Sequence, residues 1–193
     1  MNYENALKVL EEGTAILRKC GIRNWLSAGT ALGAYRDGFS KEFVERDTDI
    51  DVGVCIGLKD DGDKIYKLLH EEFIKNGFKL IRTYKGNWKY SQLCMEKDGI
   101  WFDMYFFYQE GDTFCAYTEY GIMKKPASMV YEQQSVIIDG KQYSIPNDIE
   151  GYLALRYGPE WRKPSAAKVS WEQECANLHN RGQVNISNMK CGI

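Results

Sequence analysis

The spacing of apolar and polar positions predicts two amphipathic helices in the first part of the chain. Residues 3–20 carry apolar side chains at helical spacing, with lysines and glutamates between them. The same pattern recurs from about Asp61 to Asn76. A glycine follows each segment, at positions 21 and 77, and this is typical of the end of a helix.

Between these helices the pattern predicts shorter elements. NWLSAG is typical of a short strand, Gly29 and Thr30 indicate a turn, and TALGAYRDG indicates a short helix that Gly38 ends. The run DIDVGVCI, which begins at Asp49, is apolar at almost every position. Such runs are typical of central strands, because both of their faces are buried.

Short aromatic and β-branched runs follow, and turn-forming residues separate them. They are KLIRTY, KYSQLCMEK, IWFDMYFFYQ and TFCAYTEY. Asp139 and Gly140 lie between two further runs and predict a hairpin, while NDIEGYLALRYG predicts a helix capped by Asn147 or Asp148. This order predicts an α+β fold, in which helices flank a mixed β-sheet and a helical segment lies near the C-terminus.

The composition fits a soluble protein with one domain. Of the 193 residues, 44% are hydrophobic and 27% are charged. We interpret residues 1–164 as this domain and residues 165–193 as a polar tail, packed on the domain or trailing from it. The net charge of −2 provides no basic field for nucleic acid or an anionic membrane. Phosphate binding would therefore need a few placed cations or a metal ion.

The cysteines and the N-terminus indicate a cytoplasmic protein. The six cysteines include no CxxC pair, and the two histidines are far apart, so a structural zinc site is not expected. Cys55, Cys94 and Cys115 lie in apolar runs and are interpreted as buried thiols, which suits a reducing compartment. The first residues do not resemble a signal peptide, and no apolar run is long enough to span a membrane.

Two aspartates open the central strand and are the first candidate site. Asp49 and Asp51 are two residues apart, so their side chains point to the same face, with their Cα atoms roughly 6.5 Å apart. Their charges repel each other, and a divalent cation between them would remove this repulsion. Oxygen ligands suit Mg²⁺ or Mn²⁺, which in turn implies a phosphate-bearing ligand. The alternative is that this Asp-x-Asp pair is only a solvated strand end.

Asp103 is a candidate third carboxylate, because it stands alone in the apolar run IWFDMYFFY. A buried charge is costly unless it is paired or binds a metal. If its strand neighbours that of Asp49 and Asp51, Asp103 can complete the metal site and accept a proton from an attacking hydroxyl. The alternative is a core acid that pairs with an arginine.

Residues before the aspartates suggest a phosphate site. Gly29 and Thr30 precede a short helix whose free N–H groups could bind phosphate, and Arg36 could form a bidentate contact. Taken singly, Gly-Thr pairs are common in turns and arginines are mostly solvated. Asp47 is explained equally well as part of the acidic site and as a residue that caps the loop. The ordered set, rather than any one residue, favours a functional site.

The set GTALGAYRDG followed by RDTDIDVGV resembles the signature of the LicD/fukutin family, within the nucleotidyltransferase fold seen in DNA polymerase β. A second match is IPNDIEGYLALRYGPEWRKP, residues 145–164, which is similar to the C-terminal segment of that family. The chain differs in having VERDTDID where the family often has PWDDDID. In this second segment, Tyr152 and Leu155 are interpreted as core residues, and Trp161 as packing against the helix end or stacking on a base or sugar.

This resemblance implies an enzyme that transfers a phospho-alcohol group, such as phosphocholine or a polyol phosphate, from a CDP-linked donor to a glycan hydroxyl. Asp49, Asp51 and Asp103 would bind Mg²⁺ (or Mn²⁺) and act in catalysis, and residues 1–164 would form a nucleotidyltransferase-fold catalytic domain. Gly29, Thr30 and Arg36 would hold the diphosphate.

Two alternatives stay open at this point. The same metal site would serve a nucleotidyltransferase that moves NMP from an NTP to a small molecule or protein. A catalytically degenerate relative would bind a nucleotide or a partner without turnover.

Overall fold

The computed structural model describes residues 1–86, 89–118, 121–131, 133–164, 179–180 and 190–192. The helices of this part of the chain are α1 (Tyr3–Lys19), α2 (Ala28–Asp37), α3 (Lys41–Arg46), α4 (Gly62–Lys75), α5 (Ala127–Tyr131) and α6 (Ile149–Tyr157). The strands are β1 (Asn24–Leu26), β2 (Asp49–Ile56), β3 (Lys79–Gly86), β4 (Lys89–Lys97), β5 (Ile100–Glu110), β6 (Thr113–Thr118), β7 (Gly121–Pro126), β8 (Gln134–Ile138), β9 (Lys141–Ile145), β10 (His179–Asn180) and β11 (Lys190–Gly192).

A mixed sheet organises the fold, with strand order β10-β7-β6-β5-β4-β3-β11. The central strand β5 also pairs in parallel with β2, whose other edge pairs with β1. The remaining pairs of this sheet are antiparallel, and β8 and β9 form a separate hairpin. This confirms the predicted α+β fold with helices flanking a mixed sheet.

The main core lies between one face of the sheet and helices α1 and α4. The apolar stripe of α1, which includes Val9 and Leu10, packs on β5, because residues at helical spacing share one face. Phe73 of α4 lies 5.5 Å from Phe102 of β5, measured between ring centroids. Alternate residues of β2, beginning with Ile50, are buried in this core. The aspartates of β2 therefore point to the opposite face.

On that opposite face, a smaller cluster covers the far end of β2 and β5. Its buried members are Trp25, Cys55, Phe107, Phe114 and Ala116. The indole of Trp25 lies directly on Gly53, where an added Cβ would come within 2.2 Å of the ring. The strand therefore needs a glycine at this position, because any side chain would displace Trp25.

The sequence correctly predicts most of these elements, including strands β2 and β4 to the residue. Gly29 and Thr30 were predicted as a turn, and this was wrong, because both lie in the first turn of α2. The segment between Gly38 and Asp47, for which the sequence predicts no helix or strand, contains α3, which the Ser40 side chain caps by accepting the Phe43 N–H.

Leu155 is 48% exposed, so its assignment to the core was wrong, whereas Tyr152 is fully buried as predicted. Most of the predicted tail, residues 165–193, lies outside the described residues. Within the described residues, no helix combines the length and apolar character needed to cross a membrane.

Candidate metal centre

The parallel pairing of β2 and β5 brings the three predicted carboxylates together. Asp51 lies directly opposite Asp103, and Asp49 lies opposite Trp101. One carboxylate oxygen from each of Asp49, Asp51 and Asp103 lies within 4.8 Å of the others. Residues 52 positions apart in the chain therefore form one cluster, as the sequence predicted for adjacent strands.

Burial makes these negative charges unfavourable. Asp51 is 6% exposed and Asp103 is fully buried. Burial raises the pKa of Asp51 well above its usual value, and Asp49, Asp103 and Asp47 raise it further. Burial also raises the pKa of Asp103, to about 6. The fold thus holds carboxylates together where water screens their charges poorly, an arrangement that a bound cation would stabilise.

Asp103 also has a cationic partner. The guanidinium of Arg82, on β3, donates to Asp103 Oδ2 at 3.0 Å, so the alternative of a core acid paired with an arginine holds as well. The second oxygen, Oδ1, is buried and accepts no hydrogen bond of good geometry from the described residues. A buried acceptor without a well-aligned donor is unfavourable in free energy. Coordination of this oxygen to a bound cation is one way of removing that cost.

The beginning of α2 contacts Asp51 from the side of β2. The Gly29 N–H donates to Asp51 Oδ2 at 3.1 Å, and the Asp51 N–H donates to the Thr30 hydroxyl at 2.8 Å. An added Cβ at Gly29 would lie 3.3 Å from Asp47 Oδ2 and 3.4 Å from Asp51 Oδ2. The predicted Gly29 and Thr30 therefore lie at the acidic cluster, and their direct contacts are with Asp51.

Tyr152 fixes the turn that precedes Gly29, a role that the sequence did not reveal. Its hydroxyl oxygen accepts the Ala28 N–H at 2.8 Å and lies 3.1 Å from the Ser27 hydroxyl oxygen. Ala28 has a φ of +42°, a left-handed conformation that is unfavourable for a residue with a Cβ. The buried tyrosine of α6 therefore supports a strained residue next to the site.

The predicted phosphate ligand Arg36 has other partners. It lies eight residues after Ala28, roughly 12 Å further along the axis of α2. Its Nε and Nη2 donate to the carboxylate of Asp37, and Nη1 donates to the carbonyl of Trp161. The structure does not join Arg36 to the carboxylates, and its contact with a diphosphate stays a prediction. Trp161 is 5% exposed, as expected for packing at the helix end.

Arg156 is a cation near the site that sequence reasoning missed. It is 4% exposed on α6, and its positive charge counteracts the rise in the pKa of Asp51. Asp47 faces the same region, and its Oδ1 accepts the N–H of the following residue, Thr48, at 2.9 Å. The only sequence signal for Arg156 was its position within YLALRYG, the helix whose Tyr152 reaches Ala28.

Residues 21–148 match a family described as LicD/FKTN/FKRP, nucleotidyltransferase domain. Among curated proteins, the chain is similar to the ribitol-5-phosphate transferase FKTN of Homo sapiens and of Macaca fascicularis. It is 25% identical to each over 95% of its own length and 39% of theirs. The chain thus spans well under half the length of these relatives.

Two solved structures of the antibiotic-resistance factor ANT(2")-Ia are similar in fold. The crystal structure in complex with adenylyl-2"-tobramycin has a TM-score of 0.50 at 14% identity, covering 88% of this chain and 87% of that one. The solution structure has a TM-score of 0.54 at 12% identity, covering 91% and 85%. At this level of identity the likeness concerns the fold alone.

Proposed function

This chain belongs to the LicD/FKTN/FKRP family, and on that premise we propose that it transfers a phospho-alcohol group from a CDP-linked donor to a hydroxyl of a glycan. The cluster of Asp49, Asp51 and Asp103 carries the proposal. Phosphoryl transfer requires mainly positioning of the reactants and neutralisation of their charge. A cluster of carboxylates that binds a cation would provide both. The name ribitol-5-phosphate transferase, given to the curated relatives, supports a polyol phosphate as the transferred group.

The donor set of the cluster fits Mg²⁺ or Mn²⁺. All three ligands are carboxylate oxygens, which hard divalent cations prefer. Asp103 Oδ1 lacks a well-aligned hydrogen bond, although the Cys94 and Gln92 side chains lie close enough to lower the pKa of Asp103. Together with the raised pKa of Asp51, this indicates charge that a cation would compensate. When bound, the cation would neutralise the donor diphosphate and the charge that develops on the leaving CMP.

Asp103 is the residue we assign to proton transfer. The acceptor oxygen would attack the phosphorus that bears the alcohol, and the bond from that phosphorus to the bridging oxygen would break, releasing CMP. The proton of the attacking hydroxyl would pass to the carboxylate of Asp103, as in general base catalysis. Arg82, 3.0 Å from Asp103 Oδ2, would hold this carboxylate in place.

The α2 side of the cluster suits the donor phosphates. Gly29 has no Cβ to obstruct an approaching ligand, and Thr30 ties α2 to the backbone of Asp51. Arg156 adds a buried positive charge near Asp51. We retain Arg36 as a proposed diphosphate contact, which would require it to leave Asp37. The cytoplasmic location expected from the sequence also stays a prediction.

The direct test is to incubate the protein with Mg²⁺, a glycan mixture and a panel of CDP-alcohols and NTPs. CMP release from one CDP-alcohol, with NTPs unchanged, is the expected result. The double variant Asp49→Asn/Asp51→Asn should lose this activity. Asp112→Asn, which alters an exposed acid in the turn between β5 and β6, is the matched control and should retain it.

A second candidate function is transfer of NMP from an NTP. It is favoured by the description of the matching family as a nucleotidyltransferase domain. Labelled NMP on an acceptor, without CMP release from CDP-alcohols, would replace the first proposal by this one. Metal-dependent nucleotide binding without any turnover would instead indicate a catalytically degenerate relative.

A further inference from the structure

Polar side chains continue from the carboxylates across the open face of the sheet. Arg82 of β3 pairs with Cys94 of β4, Cys94 pairs with Asp103 of β5, and Asp103 pairs with Asp51 of β2. Paired residues in adjacent strands point to the same face, so this row crosses four strands. The row leads away from α2, which contacts the cluster at Asp51.

Two aromatic rings accompany this row. The guanidinium carbon of Arg82 lies 4.9 Å from the ring centroid of Trp101 and 5.9 Å from that of Tyr84. Trp101 is 39% exposed although it is a large apolar residue on the central strand. We call these three residues, Arg82, Tyr84 and Trp101, the aromatic strip. A partly exposed tryptophan ring beside buried carboxylates offers a ligand an apolar face next to polar groups.

The aromatic strip adjoins the metal centre directly. Trp101 precedes Asp103 by two residues on the same face of β5, so their Cα atoms lie roughly 6.5 Å apart. Trp101 is also the pairing partner of Asp49. The carboxylates thus have two flanks: the N-terminus of α2 lies beyond β2, and the aromatic strip lies towards β4 and β3.

The in-line geometry of phosphoryl transfer assigns different ligands to these flanks. The attacking and leaving oxygens lie on opposite sides of the phosphorus. If the donor phosphates and the leaving CMP lie at the α2 flank, the acceptor must approach from the other. Asp103, the assigned proton acceptor, lies on that other side, on the strand of Trp101.

We propose that the aromatic strip binds the sugar ring that carries the acceptor hydroxyl, an inference that rests on the proposed function. The apolar face of a pyranose ring would lie on the exposed part of the Trp101 indole, which excludes water from both surfaces. Hydroxyls at the ring edge would accept hydrogen bonds from the guanidinium of Arg82. This arrangement holds one hydroxyl near Asp103 and leaves the nucleoside on the α2 flank.

The test measures binding without turnover, with the protein saturated with Mg²⁺ and CMP. Methyl glycosides of glucose, galactose and their N-acetylamino derivatives are titrated by NMR, and CDP is titrated separately. We expect Trp101→Ala to weaken binding of the best glycoside about fivefold to 150-fold, by analogy with the ~1–3 kcal/mol that a nucleic-acid base gains by stacking on an aromatic side chain. The affinity for CDP should stay within about twofold of the wild type, because the base lies elsewhere.

Tyr131→Ala is the matched control. Tyr131 is 42% exposed and also lies under an arginine, with Arg23 at 4.7 Å from its ring. It contacts Gln109, at the other end of β5 and roughly 26 Å from Trp101 along the strand. Its substitution should change neither affinity. The indole NMR signal that Trp101→Phe removes should shift on addition of glycoside in the wild type.

A second variant keeps the proposal falsifiable if Trp101→Ala folds poorly. Arg82→Lys retains a positive charge beside Asp103 but lacks the planar guanidinium, and it too should weaken glycoside binding. The proposal is overturned if the variants weaken CDP binding instead, if glycoside binding survives them, or if no glycoside binds the wild type. Absence of CMP release from CDP-alcohols, with Trp101-dependent glycoside binding intact, would overturn the proposed reaction and not the aromatic strip.

Discussion

The hydroxyl oxygen of Tyr152 accepts a hydrogen bond from the Ala28 N–H at 2.8 Å, although the two residues are 124 positions apart. The next N–H in the chain, that of Gly29, donates to the carboxylate of Asp51. A buried hydroxyl on α6 therefore holds the strained turn that presents a hydrogen-bond donor to the candidate metal centre.

Removal of this hydroxyl should weaken metal binding. Tyr152→Phe keeps the buried ring but leaves the Ala28 N–H without its acceptor, at a cost of about 1–3 kcal/mol in the free energy of unfolding. The turn then holds Asp51 less firmly, so the affinity for Mg²⁺ should fall. Chemical denaturation and Mg²⁺ titration measure the two effects. Tyr143→Phe, in another buried tyrosine, is the control; equal Mg²⁺ affinities in both variants would refute the positioning role.

Neutralising Asp51 should have opposite effects on the metal-free and metal-bound protein. Burial and three neighbouring carboxylates raise the pKa of Asp51, so its charge is unfavourable in the folded state. Asp51→Asn should therefore unfold at a higher temperature than the wild type when metal is absent at neutral pH. Added Mg²⁺ should raise the melting temperature of the wild type and leave that of the variant unchanged. If the metal-free variant is less stable than the wild type, the charge of Asp51 does not destabilise the folded state.

The stability of the metal-free protein should carry a pH-dependent contribution from Asp103. Burial raises the pKa of Asp103 from 3.8 to about 6, so the folded state binds the proton more tightly than the unfolded state. This contribution is present below pH 3.8 and is lost as the pH rises through about 6, amounting to about 3 kcal/mol.

Stabilisation by Mg²⁺ should increase over the same pH range, because the cation competes with protons for the carboxylates. Thermal denaturation between about pH 4 and 7, with and without Mg²⁺, measures both trends. In Asp51→Asn, Mg²⁺ should give no stabilisation at any pH in this range. A Mg²⁺ effect that is constant or larger at low pH would contradict the assignment of Asp103 as a ligand.

Substitution of two glycines of α2 by alanine should separate effects on ligand binding from effects on protein stability. Gly33→Ala would place a Cβ 2.1 Å from the Phe43 ring, and such overpacking costs about 1–3 kcal/mol of stability. In Gly29→Ala the atoms nearest to the added Cβ would be carboxylate oxygens of Asp47 and Asp51, at 3.3 and 3.4 Å, so these side chains would need to shift by only a few tenths of an ångström and stability should change less than in Gly33→Ala. The methyl group added at Gly29 would lie at the metal centre, so binding of CDP with Mg²⁺ should weaken. Melting temperatures and CDP titrations of both variants test this, and normal CDP binding by Gly29→Ala would count against a donor site there.

The sequence predicted most of the strands, although not β7, and the identity of the three carboxylates, because both depend on local patterns. Asp49 and Asp51 share a face through the period of a strand, and Asp103 was conspicuous as the one charge in an apolar run. Helix α3 escaped prediction because six residues around Val44 are too few to establish a helical period. Gly29 and Thr30 are assigned to a turn because glycine is a weak helix former, whereas α2 begins at Ala28, two residues before the predicted start at Thr30, and the Tyr152 hydroxyl accepts the Ala28 N–H.

By itself, the sequence determined which side chains could bind a cation and which segments carry them. Only the tertiary structure decided what these side chains meet. The register that sets Asp51 against Asp103, the pairing of Asp103 with Arg82, and the reach of Tyr152 to Ala28 all join distant parts of the chain. No local pattern encodes such contacts, because strand register and helix packing are fixed by the burial of the whole core.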